Sequence, residues 1–255
     1  MKIVTWNVNS LRVRLGQLND WLQFEMPDIV CLQETKVEDT YFPEEVLLEM
    51  GYHSAFVGQK TYNGVAILSR WPIENIRTDL AGYEDDQKRF IAATIKNLRV
   101  VNLYVPNGSE VGTDKYRYKL SWLANMRSIL EQELSSHSRL VVVGDFNIAP
   151  SDADVYDPGA WAGKVLCSEP EREAYELILG LGLHDCLKYF SKEQAGYTWW
   201  DYRTNAFRRD QGLRIDHILV SSALFPLCED CYVKRSLRAL DRPSDHAPVV
   251  AEISN

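Results

Sequence analysis

A chain of 255 residues, 45% hydrophobic and 25% charged, is long enough to bury a sizeable core and has the composition of an ordinary globular protein. Its apolar runs are too short to cross a bilayer, and its start, Met1-Lys2-Ile3-Val4-Thr5-Trp6, enters a strand pattern with no basic-then-apolar leader. The net charge of −8 speaks against binding nucleic acid through overall charge, and the five cysteines form no disulfide or zinc framework. The expectation is a cytoplasmic, monomeric protein with reduced thiols and no membrane partner.

Short runs rich in Val and Ile predict strands over residues 3–8, 29–32, 65–68, 90–95, 100–105, 140–143, 215–220 and 248–253. Between the first two, Leu11, Leu15, Leu18, Trp21 and Leu22 fall on one helical face. A longer helix starts near Asp114 and carries Leu120, Leu123, Met126, Leu130 and Leu134. A third runs from about Pro170 to Leu181 and stops near Gly182. No Pro-, Gly- or Ser-rich linker interrupts the chain, so a single domain over residues 1–255 is expected, with strands and helices interspersed in an α/β or α+β arrangement.

Several strands end in an oxygen-bearing side chain: Asn7 and Asn9, Gln33 and Glu34, Asn107, Asp145 and Asn147. Asp216 and His217 lie in another strand, and Asp245 and His246 directly precede the last. If these ends share one edge of packed sheets, their oxygens converge. Hard cations such as magnesium choose oxygen ligands, while no His pair or thiolate cluster suggests zinc. A cation beside a phosphodiester neutralises charge and stabilises the leaving oxyanion. A spare carboxylate can orient or deprotonate water, and an Asp can hold a histidine charged, as Asp216 could hold His246. Singly, each residue reads as well as a turn former or a satisfied core group. Their joint occurrence carries the argument.

The blocks that hold these residues resemble the exonuclease III and AP endonuclease family. They are Trp6-Asn7-Val8-Asn9-Ser10-Leu11-Arg12, Asp28 to Lys36 with Gln33-Glu34-Thr35, Tyr62-Asn63-Gly64, and Asn102-Leu103-Tyr104-Val105-Pro106-Asn107-Gly108. Gly144-Asp145-Phe146-Asn147, Trp199-Trp200-Asp201-Tyr202-Arg203, Gly212-Leu213-Arg214-Ile215-Asp216 and Ser244-Asp245-His246 complete the order over nearly the whole chain. The resemblance implies a four-layer αββα sandwich, two mixed β-sheets flanked by helices, of the DNase I-like kind. It implies a DNA-repair hydrolase using magnesium, or manganese in its place, on 3′ ends or 5′ to abasic sites of double-stranded DNA. Glu34 would be the principal metal ligand, with Asn7, Asn9 and Asp245 around it; Asn9 stands where part of the family has Asp. Tyr104 and Asn147 would contact the scissile phosphate, Asp145 would align or deprotonate the water, and His246, held by Asp216, would stabilise developing charge.

Trp199, Leu213 and Ile215 would line a pocket for a base-less sugar, by the same resemblance. One of Trp199 and Trp200 is expected in the core, because adjacent strand residues face opposite ways. Candidate DNA contacts are Lys36, Asn107, Lys115, Arg117, Lys119, Arg203, Arg208, Arg209 and Arg214, local positive charge that answers the acidic net balance. The segment Leu166-Cys167-Ser168-Glu169-Pro170-Glu171-Arg172 departs from many relatives: it lacks an aromatic and is one residue shorter. That departure predicts weak abasic-site cleavage and dominant trimming of 3′ ends. The competing reading is a phosphatase of inositol or lipid phosphates on the same sandwich.

Overall fold

The computed structural model describes residues 1–80, 82–191 and 196–254. In chain order its elements begin with β1 (Lys2–Asn7), α1 (Leu11–Glu25), β2 (Ile29–Gln33), α2 (Glu44–Glu49), β3 (His53–Val57), β4 (Val65–Ser69), β5 (Glu74–Arg77), β6 (Phe90–Ile95) and β7 (Leu98–Tyr104). There follow α3 (Asp114–Ser136), β8 (Leu140–Asp145), α4 (Pro158–Trp161), α5 (Glu169–Leu179), β9 (Leu183–Asp185), α6 (Cys186–Phe190), β10 (Asp216–Ser221), β11 (Cys228–Val233), α7 (Arg235–Arg238) and β12 (Val249–Ile253).

Two six-stranded sheets form, ordered β11-β12-β1-β2-β4-β3 and β5-β6-β7-β8-β10-β9. Each has a parallel pair near its centre, β1 with β2 and β7 with β8, and antiparallel neighbours elsewhere. Parallel neighbours need a crossover, and here α1 and α3 supply it. Ile3, Ile29, Cys31 and Ile67 of one sheet meet Ile91, Val100, Val141, Val143 and Ile218 of the other in a buried core. The outer faces are covered by helices. Leu11, Leu18, Trp21 and Leu22 of α1 pack on Val4, Trp6, Val30 and Leu32. Trp122, Met126, Ile129 and Leu130 of α3 and Tyr175 and Ile178 of α5 pack on Val101, Leu103 and Val142. This is the four-layer αββα sandwich expected from the resemblance. Among the described residues no helix is long and apolar enough to cross a membrane.

The central strands match the sequence pattern within one or two residues, and Asp216 opens its strand rather than lying inside it. The sequence pattern did not reveal β3, β5, β9 and β11, which are the four sheet edges. Such strands need only one buried face or none, and β5, with three exposed residues of four, has no apolar run to detect. The long helix starts as expected, with Thr113 accepting a hydrogen bond from Tyr116 N at 3.3 Å. The third begins at Glu169 behind a capping box, in which Ser168 and Glu171 satisfy each other's backbone N–H.

One glycine stands at the close approach of β7 and β8. At Gly144, φ is 150°, and an added Cβ would lie 2.0 Å from the carbonyl oxygen of Leu103 on the neighbouring strand. Only glycine lets β7 and β8 meet there, directly before Asp145.

Candidate active site

The C-terminal ends of β1, β2, β7 and β8 and the N-terminal ends of the antiparallel β10 and β12 lie at one edge of the sandwich. Register places Asn7 beside Gln33, Tyr104 beside Asp145, and Asp145 opposite Asp216. The structure therefore brings together Asn7, Asn9, Glu34, Asp145, Asn147, Asp216, Asp245 and His246, as expected from the strand ends, and adds Tyr104, as expected from the resemblance.

The two sheets are joined at this edge by side-chain amides. Asn7 Nδ2 donates to Glu34 Oε1 at 2.9 Å and to Asp145 Oδ2 at 2.8 Å. One layer deeper, Gln33 Nε2 donates to Asn102 Oδ1 at 2.7 Å, and Asn102 Nδ2 reaches the carbonyls of Leu32 and Ala66. Asn102 and Gln33 are fully buried, and each such bond spans the apolar gap between sheets. Four site residues take left-handed backbones: Asn9 (φ 43°), Glu34 (50°), Lys36 (53°) and Asn147 (51°). For Glu and Lys this costs free energy, offset by fixed backbone bonds such as Ser10 N to Glu34 O at 2.8 Å and Lys36 N to Asn63 O at 2.9 Å.

On the solvent side, the Lys36 ammonium lies 2.9 Å from Glu34 Oε2 and donates to Asn9 Oδ1 at 2.5 Å. Asn9 Nδ2 in turn donates to Asp245 Oδ1 at 2.8 Å, and Trp199 Nε1 donates to Asp245 Oδ2 at 3.0 Å. Burial alone would raise the Glu34 carboxyl, but Lys36 and the Asn7 amide hold it below its ordinary value. Asp245 is likewise held low against burial, with His246, Asn9 and Trp199 favouring its charge. The donors are all oxygens, two of them carboxylates kept ionised, and a positive charge already sits where Glu34 and Asn9 converge. That set fits a hard divalent cation.

The other side is deeper. Asp145 is 1% exposed. Burial, with the charges of Asp216 and Glu34, lifts its carboxyl to about 7, against the pull of His246 and the Asn7 amide. Its Oδ1 accepts from Asn147 N at 2.9 Å. His246 Nδ1 donates to Asp216 Oδ2 at 2.8 Å, while its Nε2 faces Asp145 Oδ2 at 3.8 Å. Burial would lower the imidazole, but Asp216 and Asp145 outweigh it and raise it to about 10. Asp145, Asp216 and His246 are also close enough to share a metal ion among the described residues, and Asp216 Oδ1 has no partner. The His246–Asp216 pair thus lies directly beside the Asp145 carboxyl. Tyr104, under the Arg89 guanidinium 4.4 Å from its ring centroid, is pushed well above its ordinary value by burial and by Glu34, so it remains a neutral donor.

Two of the expected DNA contacts are corrected. Lys119 has no exposed surface: its ammonium pairs with Glu171 and donates to the carbonyls of Asn147 and Asn107. Arg214, 2% exposed, is locked between Asp154 and Asp185, both at 2.6 Å, so it braces the fold beneath the surface. Lys115, Arg117, Arg203, Arg208, Arg209 and Asn107 are exposed, and Lys36 is half-buried at the site itself. Trp200 is the core member of the tryptophan pair and Trp199 the half-exposed one. Leu213 and Ile215 lie beside Trp199, but both are buried, in one apolar cluster with Leu166, Cys167 and Val155. Sequence reasoning missed Arg14, which donates to Asn9 O at 2.7 Å, Tyr202 Oη at 2.9 Å and Pro243 O at 2.8 Å and so ties the Asn9 and Pro243 loops to α1. Its spacing from Leu11 and Leu18, a charge on an apolar helical face, was the available signal.

Residues 4–246 match the profile of the endonuclease/exonuclease/phosphatase family. The chain is 37% identical to exodeoxyribonuclease III of Haemophilus influenzae, with 99% of each chain covered. Its structure superimposes on the 3′ phosphatase NExo from Neisseria bound to product DNA hairpin at a TM-score of 0.98, with 48% identity and 100% of both chains covered. An AP endonuclease from Archaeoglobus fulgidus superimposes at 0.96, with 40% identity and 100% coverage of both chains.

Proposed function

The chain belongs to the endonuclease/exonuclease/phosphatase family and is a DNA-repair nuclease within it; from that premise we propose that it chiefly processes 3′ ends of double-stranded DNA, trimming nucleotides and removing a terminal phosphate. Incision 5′ to abasic sites is the lesser activity. The observation that carries this preference is the covered wall. Leu166 and Cys167, each 4% exposed, pack against Leu213 and Ile215, at 0% and 1%. Of the three wall residues, the half-exposed Trp199 alone offers an extruded sugar surface to stack on. Leu166 is itself held in a left-handed backbone (φ 75°), its carbonyl accepting from Ala149 N at 2.8 Å.

Magnesium is the proposed cation, held by Glu34 with Asp245, Asn7 and Asn9 around it; it would supply charge neutralisation at the phosphate. Asp145 aligns the water and takes its proton in this reading, which its carboxyl, lifted to about 7, supports, since such a group is a better base at neutral pH than an ordinary one. Attack forms a P–O bond to the water oxygen and breaks the P–O bond to the leaving group. Tyr104, Asn147 and the charged His246 donate to the phosphate oxygens as negative charge develops. Lys36, Asn107, Lys115, Arg117, Arg203, Arg208 and Arg209 follow the backbone, and the protein acts as a monomer in the cytoplasm.

The test uses three labelled duplexes with magnesium, manganese or chelator: a recessed 3′ end, a nick bearing a 3′ phosphate, and an internal abasic analogue. Metal-dependent turnover of the first two, with abasic incision at least about tenfold slower in kcat/KM, is expected. Equal or faster abasic incision overturns the preference. No cleavage of any duplex overturns the nuclease reading and turns attention to inositol phosphates.

A further inference from the structure

α3 carries two charged residues on its buried face, and they do different things. Near its C-terminal end Glu133, 5% exposed, pairs with Arg99 at 2.8 Å and Arg77 at 3.1 Å, far from the strand ends that form the site. Near its N-terminal end Lys119 and Glu171, both without exposed surface, form an ion pair whose remaining bonds all go to loops of the site. The Lys119 ammonium donates to the Asn147 carbonyl at 2.6 Å and to the Asn107 carbonyl at 3.2 Å. Those two residues are also joined directly, Asn107 Nδ2 to Asn147 Oδ1 at 3.0 Å. Glu171 accepts from Leu166 N and Ser168 N, each at 3.0 Å, and from the Ser168 hydroxyl at 2.5 Å. Gly108 closes the arrangement: a Cβ there would stand 3.1 Å from Lys119 Cδ.

We infer that Lys119 and Glu171 form a positioning clamp, fixing the Asn147 and Asn107 loops relative to the 166–168 segment that covers the sugar-binding wall. An ammonium has three donors, and these partners use all of them, so the loops cannot shift independently without leaving a buried donor or acceptor unpaired. The clamp rests on the nuclease reading for its substrate but not for its geometry. Misplacement of a phosphate-contacting residue by about 1 Å is enough to cost on the order of 100-fold in rate.

The test compares Lys119→Met/Glu171→Met, which leaves no lone buried charge, with Glu171→Gln and with Glu133→Gln as the matched pair at the other end of the helix. On the recessed-end duplex the double variant is expected to lose kcat on the order of 100-fold, with KM changed by less than about threefold. Glu171→Gln gives the same split at smaller amplitude. Glu133→Gln lowers the melting temperature and keeps kcat within about twofold. A double variant or Glu171→Gln that folds and retains kcat within that margin overturns the clamp. Amide hydrogen exchange provides a readout independent of substrate. Asn147 N and Ala149 N, which do not bond to either clamp residue, are expected to lose protection together in Glu171→Gln but not in Glu133→Gln. Unchanged protection overturns the clamp, whereas a wild type that cuts no DNA sinks only the nuclease reading.

Discussion

The two sheets build their share of the site from the same motif, a parallel pair with a helical crossover, and furnish it in opposite ways. The first pair, β1 and β2, ends in Asn7 and Gln33, and the loop that follows leaves Glu34 half-buried with an ammonium at hand. The second, β7 and β8, ends in Tyr104 and Asp145, the latter sealed at 1% exposure between Asp216 and Asn7. One carboxylate is held below its ordinary value and the other is lifted to about 7. The two environments differ, and one amide, that of Asn7, bonds to both.

The largest effect should come from the sealed half. Asp145→Asn keeps an acceptor for Asn147 N but removes the base, and kcat should fall by about 10³–10⁴-fold in single-turnover cleavage. A loss below about tenfold would reassign the base. In the open half, Glu34→Gln should raise the magnesium concentration needed for half-maximal activity by at least about 100-fold, read from a magnesium titration, with rate partly restored at saturation. An unchanged magnesium requirement would place the cation elsewhere.

The smallest effect is a shift of pH profile. Activity should rise as Asp145 loses its proton, through about pH 7 or below once a cation lies beside Glu34, and fall as His246 loses its proton towards about pH 10. Because Asp216 is a main cause of the raised imidazole, Asp216→Asn lowers its pKa, so the alkaline limb should move down by about one unit or more. Movement of the acid limb alone would break the assignment.

Strand ends and inner strands were legible because both leave a continuous apolar run followed by an oxygen. The edges were not, since β3, β5 and β11 bury too little to show a period and β9 has only 3 residues. Among the cations, the sequence could not separate Lys119 and Arg214 from their exposed neighbours by charge alone. Helical spacing could have done so for Lys119. The buried face of α3 runs Tyr116, Lys119, Leu123, Met126, Leu130 and Glu133, so both charged members sit in an apolar stripe. Arg214 had no such signal, because its partners Asp154, in a short turn, and Asp185, at the end of β9, are distant in sequence. The covering of Leu213 and Ile215 depends likewise on a segment some fifty residues earlier in the chain.

The hydrogen bond from Trp199 to Asp245 joins the apolar wall of Leu213 and Ile215 to the Asn9–Asp245 side of the site through an indole. Indole emission responds to charge and to the loss of its N–H partner, and Trp199 is the half-exposed member of its pair while Trp200 is sealed. The protein thus carries its own optical probe at the junction of its two chemical halves: whatever engages Asp245 or settles on the wall changes the surroundings of one fluorophore.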